Sequence, residues 1–181
     1  FGLTETTVSV SINRPEARKI GSIGQPFDGV EMKIVDDNDN DLPNGEVGEV
    51  VIKAPNVMKG YLNKAEDTAE ALKGGWFHTG DLGYRDDEGF FFIVDRKKDM
   101  IIKGGFNVYP REIEEVLHQH PAVQEAAVIG RPDEYFGEAL RAFVVFRAGS
   151  GATAAELEAH CRAQLAGYKV PKEFLPIDSL P

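Results

Sequence analysis

One place in this chain does most to limit its fold: the charged run Asp95-Arg96-Lys97-Lys98-Asp99, where the apolar pattern changes its period. Upstream, apolar residues fall in short strand-like runs, Val30–Val35, Glu49–Lys53 and Phe90–Val94, separated by clusters of Asn, Asp, Pro and Gly. Asp86-Asp87-Glu88-Gly89 supplies the tight turn before the last of these. Downstream the spacing becomes helical. Pro110 opens a helix with Ile113, Val116 and Leu117 on one face, and Pro121 closes it. Thr153 and Glu156 form a capping box ahead of Leu157, Cys161 and Leu165, with Gly167 as the stop. Two further strands are expected at Ala126–Ile129 and Ala142–Phe146. A strand-period segment and a helix-period segment cannot share one repeating layer. The chain is therefore predicted to be α+β: a small β-barrel-like or meander subdomain over 1–94, a hinge over 95–99, and a compact α+β unit over 100–181.

Charge follows the same division. Residues 1–95 carry 9 Lys and Arg against 18 Asp and Glu, whereas residues 96–181 carry 11 against 12. The cluster Arg96, Lys97, Lys98 and Lys103 thus places a local positive field at the junction of a chain whose net charge is −10. That balance argues against a general nucleic-acid binder, which gathers phosphates on a basic surface. No apolar run approaches the ~20 residues that span a bilayer. The single cysteine, Cys161, cannot form an internal disulfide, so no oxidising compartment is required and a cytoplasmic setting is the default expectation.

Three stretches carry a resemblance. Phe1-Gly2-Leu3-Thr4-Glu5, Trp76-Phe77-His78-Thr79-Gly80-Asp81, and the block from Asp95 to Glu114 (DRKKDMIIKGGFNVYPREIE) are together similar to signature stretches of the adenylate-forming acyl-CoA synthetases. The resemblance spans nearly the whole chain. It implies the last subdomain of a large AMP-binding lobe followed by most of a mobile C-terminal lid, the lid truncated at its end. The implied parent reaction is a ligase's: carboxylic acid and ATP give acyl-AMP, which CoA then converts to a thioester. The sequence from Val94 to Val145 looks most like medium- to long-chain fatty acyl-CoA ligases, although aryl and malonyl relatives share much of it. ATP, Mg²⁺ and CoA are the implied cofactors, and a fatty acid or other carboxylic acid the implied partner.

The resemblance also assigns roles. Thr4 offers a hydroxyl to phosphate, and Glu5 the carboxylate oxygen that Mg²⁺ prefers; read without the resemblance, this pair is a surface turn. Asp81 matches the aspartate that accepts both ribose hydroxyls, since one carboxylate suits a vicinal diol; the plainer reading is a turn between strands. Arg96 matches an arginine at the ribose, and Lys98 the hinge position, where the alternative is a solvated basic turn. Gly104 and Gly105 match a loop along the pantetheine path, where a missing Cβ admits a thin ligand chain. Asn107 matches a Gln or Asn near the AMP phosphate. Whether Lys103 meets a CoA phosphate or water stays open.

Three tempting sites fail on geometry. Asp37, Asp39 and Asp41 begin like a calcium loop, but Leu42 and Gly48 stand where Gly and Glu are needed. His118 and His120 lie two apart on a helix and diverge. Cys161 sits on an apolar stripe with no charged activator. The chain also shows neither the glycine-rich lysine loop nor the Gly-Lys tail that the resemblance calls for. It is accordingly expected to be a fragment unable to form an acyl adenylate alone. Two rival readings remain: an adenylating enzyme that loads a carrier protein, and a non-catalytic module binding a nucleotide or partner.

Overall fold

A computed structural model describes residues 1–180 and divides them into two compact units, Phe1–Lys97 and a second that begins at Lys98.

The first unit is built on a four-stranded antiparallel meander: β3 (Glu31–Val35), β4 (Gly48–Lys53), β5 (Phe77–Arg85) and β6 (Phe91–Arg96), neighbours in chain order. The sheet stays open. It is the meander of the two expected forms and not a closed barrel, because β3 and β6 are its two edges and do not pair with each other. β4 is buried from Gly48 to Ile52, as befits a central strand covered on both faces. Met32, Ile34, Val50, Ile52, Phe77 and Phe91 form the core with Val10, which arrives from the segment before a two-stranded ribbon, β1 (Ser11–Ile12) and β2 (Gln25–Pro26). The Asp86 turn forms as read: its carboxylate accepts the Glu88 and Phe90 amides at 3.0 and 2.9 Å. Helix α1 (Ala65–Ala71) buries none of its residues, so it left no apolar stripe to detect.

In the second unit β10 (Gly137–Phe146) is the hub. It pairs antiparallel with β9 (Val123–Asp133), parallel with β11 (Glu173–Pro176), and by its first residue with β7 (Ile101–Lys103), which continues to β8 (Phe106–Val108). Two helices complete the core with Leu140 and Val144. Helix α2 (Pro110–His118) contributes Ile113, Val116 and Leu117, and α3 (Ala154–Arg162) contributes Leu157 and Cys161. The capping box at Thr153 is present in both directions. α3 ends at Arg162, short of the expected Gly167 stop, and Leu165 still packs on the core from the following turn.

Candidate active site

Gly2 lets the first motif fold. A Cβ there would lie 1.3 Å from the Val8 carbonyl oxygen, so only glycine allows the chain to double back over the single 3₁₀ turn Thr4–Thr6. Thr4 is exposed. Glu5 is half-buried, and its Oε1 accepts the Tyr61 hydroxyl at 3.0 Å while its carbonyl accepts the Met58 amide at 2.7 Å. Burial and the Glu5 carboxylate together raise the Tyr61 phenol above its ordinary range, which keeps it a donor. Tyr61 was not singled out from the sequence. A lone Tyr after Gly60 carries no periodic signal.

The second motif lies inside β5 rather than in a turn between strands. The register of β4 against β5 passes from Val51↔His78 to Glu49↔Leu82, so Thr79, Gly80 and Asp81 bulge against the single residue Val50. Gly80 makes the bend with φ +70°, a conformation that L side chains resist, in otherwise open space. Side chains hold the bulge where the ladder is interrupted. The Thr79 hydroxyl donates to the Val50 carbonyl at 2.7 Å and accepts the Asp81 amide at 3.0 Å. Glu49 accepts the Gly80 amide at 3.1 Å.

Asp81, 5% exposed, faces Arg96 across the β5–β6 pairing, and its Oδ1 lies 2.9 Å from Arg96 Nε in an ion pair. Burial pushes the Asp81 carboxyl above its ordinary range; Arg96 opposes the rise, and the negative charges of Glu49 and Glu5 add to it. The structure thus brings Asp81 and Arg96 into contact and sets Glu5 within electrostatic reach. Among the described residues no cluster of three or more His, Cys, Asp or Glu side chains suits a metal ion. One half-buried carboxylate at Glu5 fits Mg²⁺ carried on substrate phosphates, which keeps much of its own water, and not a dedicated protein cage.

The expected hinge over 95–99 is divided between a strand and a turn. Asp95 and Arg96 belong to β6, and only Lys97–Asp99 form a separate 3₁₀ turn. Lys97 Nζ reaches Glu49 at 3.1 Å and Asp37 at 2.9 Å, whereas Lys98 is exposed. The acidic stretch rejected as a calcium loop is a hairpin connection stitched by Asp36, whose carboxylate accepts the Asn38 and Asn40 amides at 2.8 and 2.9 Å.

In the second unit Gly104 and Gly105 join β7 to β8 as a two-residue turn, with φ of +59° and +83° as a type I′ hairpin requires. Asn107 is exposed on β8, paired with Ile102. Lys103 does not face water: it is 6% exposed, and its ammonium donates to the Tyr168 carbonyl at 2.8 Å beside the Phe136 ring. Burial lowers its affinity for a proton, and nearby Lys172 lowers it further.

Comparison with known proteins decides the family. The profile of the AMP-binding enzyme family matches residues 1–62, and that of the AMP-binding enzyme C-terminal domain matches residues 112–181. Long-chain-fatty-acid–CoA ligases of Bacillus subtilis and Escherichia coli are 49% and 50% identical over 96% and 100% of this chain. The chain belongs to the AMP-binding enzyme family. Within that family, a 2-succinylbenzoate–CoA ligase of Geobacillus is 46% identical over the whole chain. The chain spans about a third of the length of these relatives, 31%, 32% and 37%. Among solved structures, the o-succinylbenzoate CoA synthetase of Bacillus subtilis with its acyl-adenylate superposes with a TM-score of 0.93 at 42% identity, over 99% of this chain and 37% of that one. ATP-bound MatB from Rhodopseudomonas palustris gives 0.93 at 40%, over 99% and 36%. An amide bond synthetase from Marinactinospora thermotolerans gives 0.90 at 38%, over 100% and 38%.

Proposed function

We propose that the protein carrying this chain is an ATP-dependent acyl-CoA ligase, forming an acyl adenylate from a carboxylic acid and passing the acyl group to the thiol of CoA. The observation that carries the proposal is Asp81: a nearly buried carboxylate, set on a side-chain-braced bulge and paired with Arg96, within a segment that resembles the family's nucleotide motif. A carboxylate that stays buried against its own preference is a marker of function. In this role Asp81 accepts the two ribose hydroxyls and Arg96 fixes its orientation. Thr4 donates to phosphate. Glu5 would hold Mg²⁺, which when bound would supply positive charge to the nucleotide phosphates. Asn107 and the Gly104–Gly105 turn face the nucleotide phosphate and the pantetheine arm, and Lys98 is the pivot that lets residues 100–181 act as a lid in two successive half-reactions.

Two relatives named for long-chain fatty acids and one for 2-succinylbenzoate share 46–50% of these residues, so the acid is the variable. Medium- to long-chain fatty acids are our proposal. The acceptor varies too, since a neighbour of the same fold is an amide bond synthetase. The test is thioester formation by the full-length protein with ATP, offered fatty acids of graded length and 2-succinylbenzoate, and either CoA or a holo-carrier protein. Acyl-CoA from fatty acids alone supports the proposal. Product only on the carrier, or no acid-dependent AMP release, contradicts it.

A further inference from the structure

Glu49 stands on the central strand of the first unit, 8% exposed, where a carboxylate costs several kcal/mol unless its oxygens are used. Both are. Oε1 accepts the Gly80 amide at 3.1 Å; Oε2 accepts Lys97 Nζ at 3.1 Å and lies 3.4 Å from His78 Nδ1. An apolar residue at this position would complete the buried run of β4 at lower cost. The ion is therefore kept for something other than the core.

What it holds is the Thr79–Gly80 peptide, one residue before Asp81. With three residues of β5 facing only Val50, the strand ladder cannot fix the bulge. The Thr79 hydroxyl secures the Asp81 amide from one side, and Glu49 secures the Gly80 amide from the other. Glycine at 80 makes the bend accessible but also makes it soft, because a residue without Cβ populates many alternatives. An acceptor aimed at its amide removes that freedom. Lys97 in turn holds the other carboxylate oxygen of Glu49 in place.

We propose that Glu49 is a positioning residue for the nucleotide site, holding the Gly80 bulge in the shape that presents the Asp81 carboxylate to the ribose. This rests on the reading of Asp81 as the ribose acceptor. Glu49 touches no substrate; it acts through Asp81. The consequence is a dependence that general destabilisation does not produce: loss of Glu49 harms only ligands that own the ribose hydroxyls, and only while Asp81 is there to use them.

The experiment measures the Kd of ATP and of 2′,3′-dideoxy-ATP for the full-length protein by calorimetry, in the parent, Glu49→Met, Glu49→Gln, Asp81→Asn and the Glu49→Met, Asp81→Asn double variant, with thermal melts to verify folding. Glu49→Met keeps volume and removes both acceptors; it is expected to weaken ATP about tenfold, the scale of one hydrogen bond to a charged group. Glu49→Gln retains an acceptor for Gly80 and is expected within about threefold of the parent. Neither change should alter dideoxy-ATP binding, and Glu49→Met should add nothing in the Asp81→Asn background. Equal weakening of both nucleotides, or unchanged ATP binding in a folded Met variant, overturns the inference. Should Glu49→Met not fold, Glu49→Asp, one methylene too short to reach Gly80, takes its place with the same expectation. If Asp81→Asn itself leaves ATP affinity intact, the reading of the site fails; if only the Glu49 variants do, the positioning role alone fails.

Discussion

Replacing Asp81 by Asn keeps the shape of the side chain and removes a buried charge, so it sets stability and binding against each other. In the folded protein, burial raises the Asp81 carboxyl above its ordinary value of 3.8, with Arg96 only partly restoring it. A carboxyl whose folded pKa is raised adds stability that is complete below the unfolded pKa and is lost as pH rises through the folded one. The Asn variant lacks this titration. Relative to the parent it should therefore gain stability as pH climbs from below about 4 towards neutrality, on the order of 1 kcal/mol or less once the lost Arg96 pairing is counted. Arg96 tolerates the change because its side chain is 53% exposed and water replaces the lost partner. Binding moves the other way. Two hydrogen bonds from ribose hydroxyls to an ion become at best one bond to a neutral amide oxygen, a loss of roughly 2–3 kcal/mol, or about 30- to 150-fold in Kd. Calorimetry with ATP and denaturant melts from pH 4 to 8 on the full-length protein read both quantities. Affinity within threefold of the parent, or a variant less stable than the parent at neutral pH, would refute the reasoning.

Further outcomes follow from other residues. Thr153→Ala removes the α3 capping box and should cost about 1 kcal/mol in urea denaturation; because the depressed Glu156 carboxyl gives stability that is present above its unfolded pKa and lost as pH falls, the difference should shrink in acid. Burial pushes the Cys161 thiol up to about 11, so a disulfide reagent at pH 8 should modify it only at the rate of unfolding; rapid modification of the native protein would contradict its place in the core. Lys103→Met orphans the Tyr168 carbonyl beside the Gly104–Gly105 hairpin, and should slow thioester formation with CoA while leaving acid-dependent ATP–pyrophosphate exchange within about twofold, the hydrogen bond itself contributing ~1–2 kcal/mol. Equal loss in both half-reactions would count against that division.

The parts of the fold that are periodic were legible. Strand alternation located β3, β4 and β6, helical spacing located α2, and Thr153 with Glu156 marked the start of α3 to the residue. β5 was hidden for a physical reason: a glycine at positive φ and a three-residue bulge break its alternation just where the polar motif sits. α1 buries nothing and so has no stripe, and the amphipathic signal of β7 and β8 is too short to stand out. At the candidate site, Asp81 and Arg96 were named from the motif, but their contact depends on a strand pairing that spacing alone does not reveal. The contacts of Glu49, Tyr61 and Lys97 were invisible in the same way, Lys97 having been read only as part of the basic cluster and Glu49 only as the start of a strand. Each works through a partner 31 to 56 positions away, a distance that no local spacing signals.

The central claim is that the Gly80 bulge exists to offer Asp81 to a nucleotide. A crystal structure of the full-length protein with AMP tests it most directly. The account predicts the Asp81 carboxylate within hydrogen-bonding distance of the ribose hydroxyls, with Glu49 still on the Gly80 amide. Ordered AMP bound elsewhere, with Asp81 turned from it, would contradict the account.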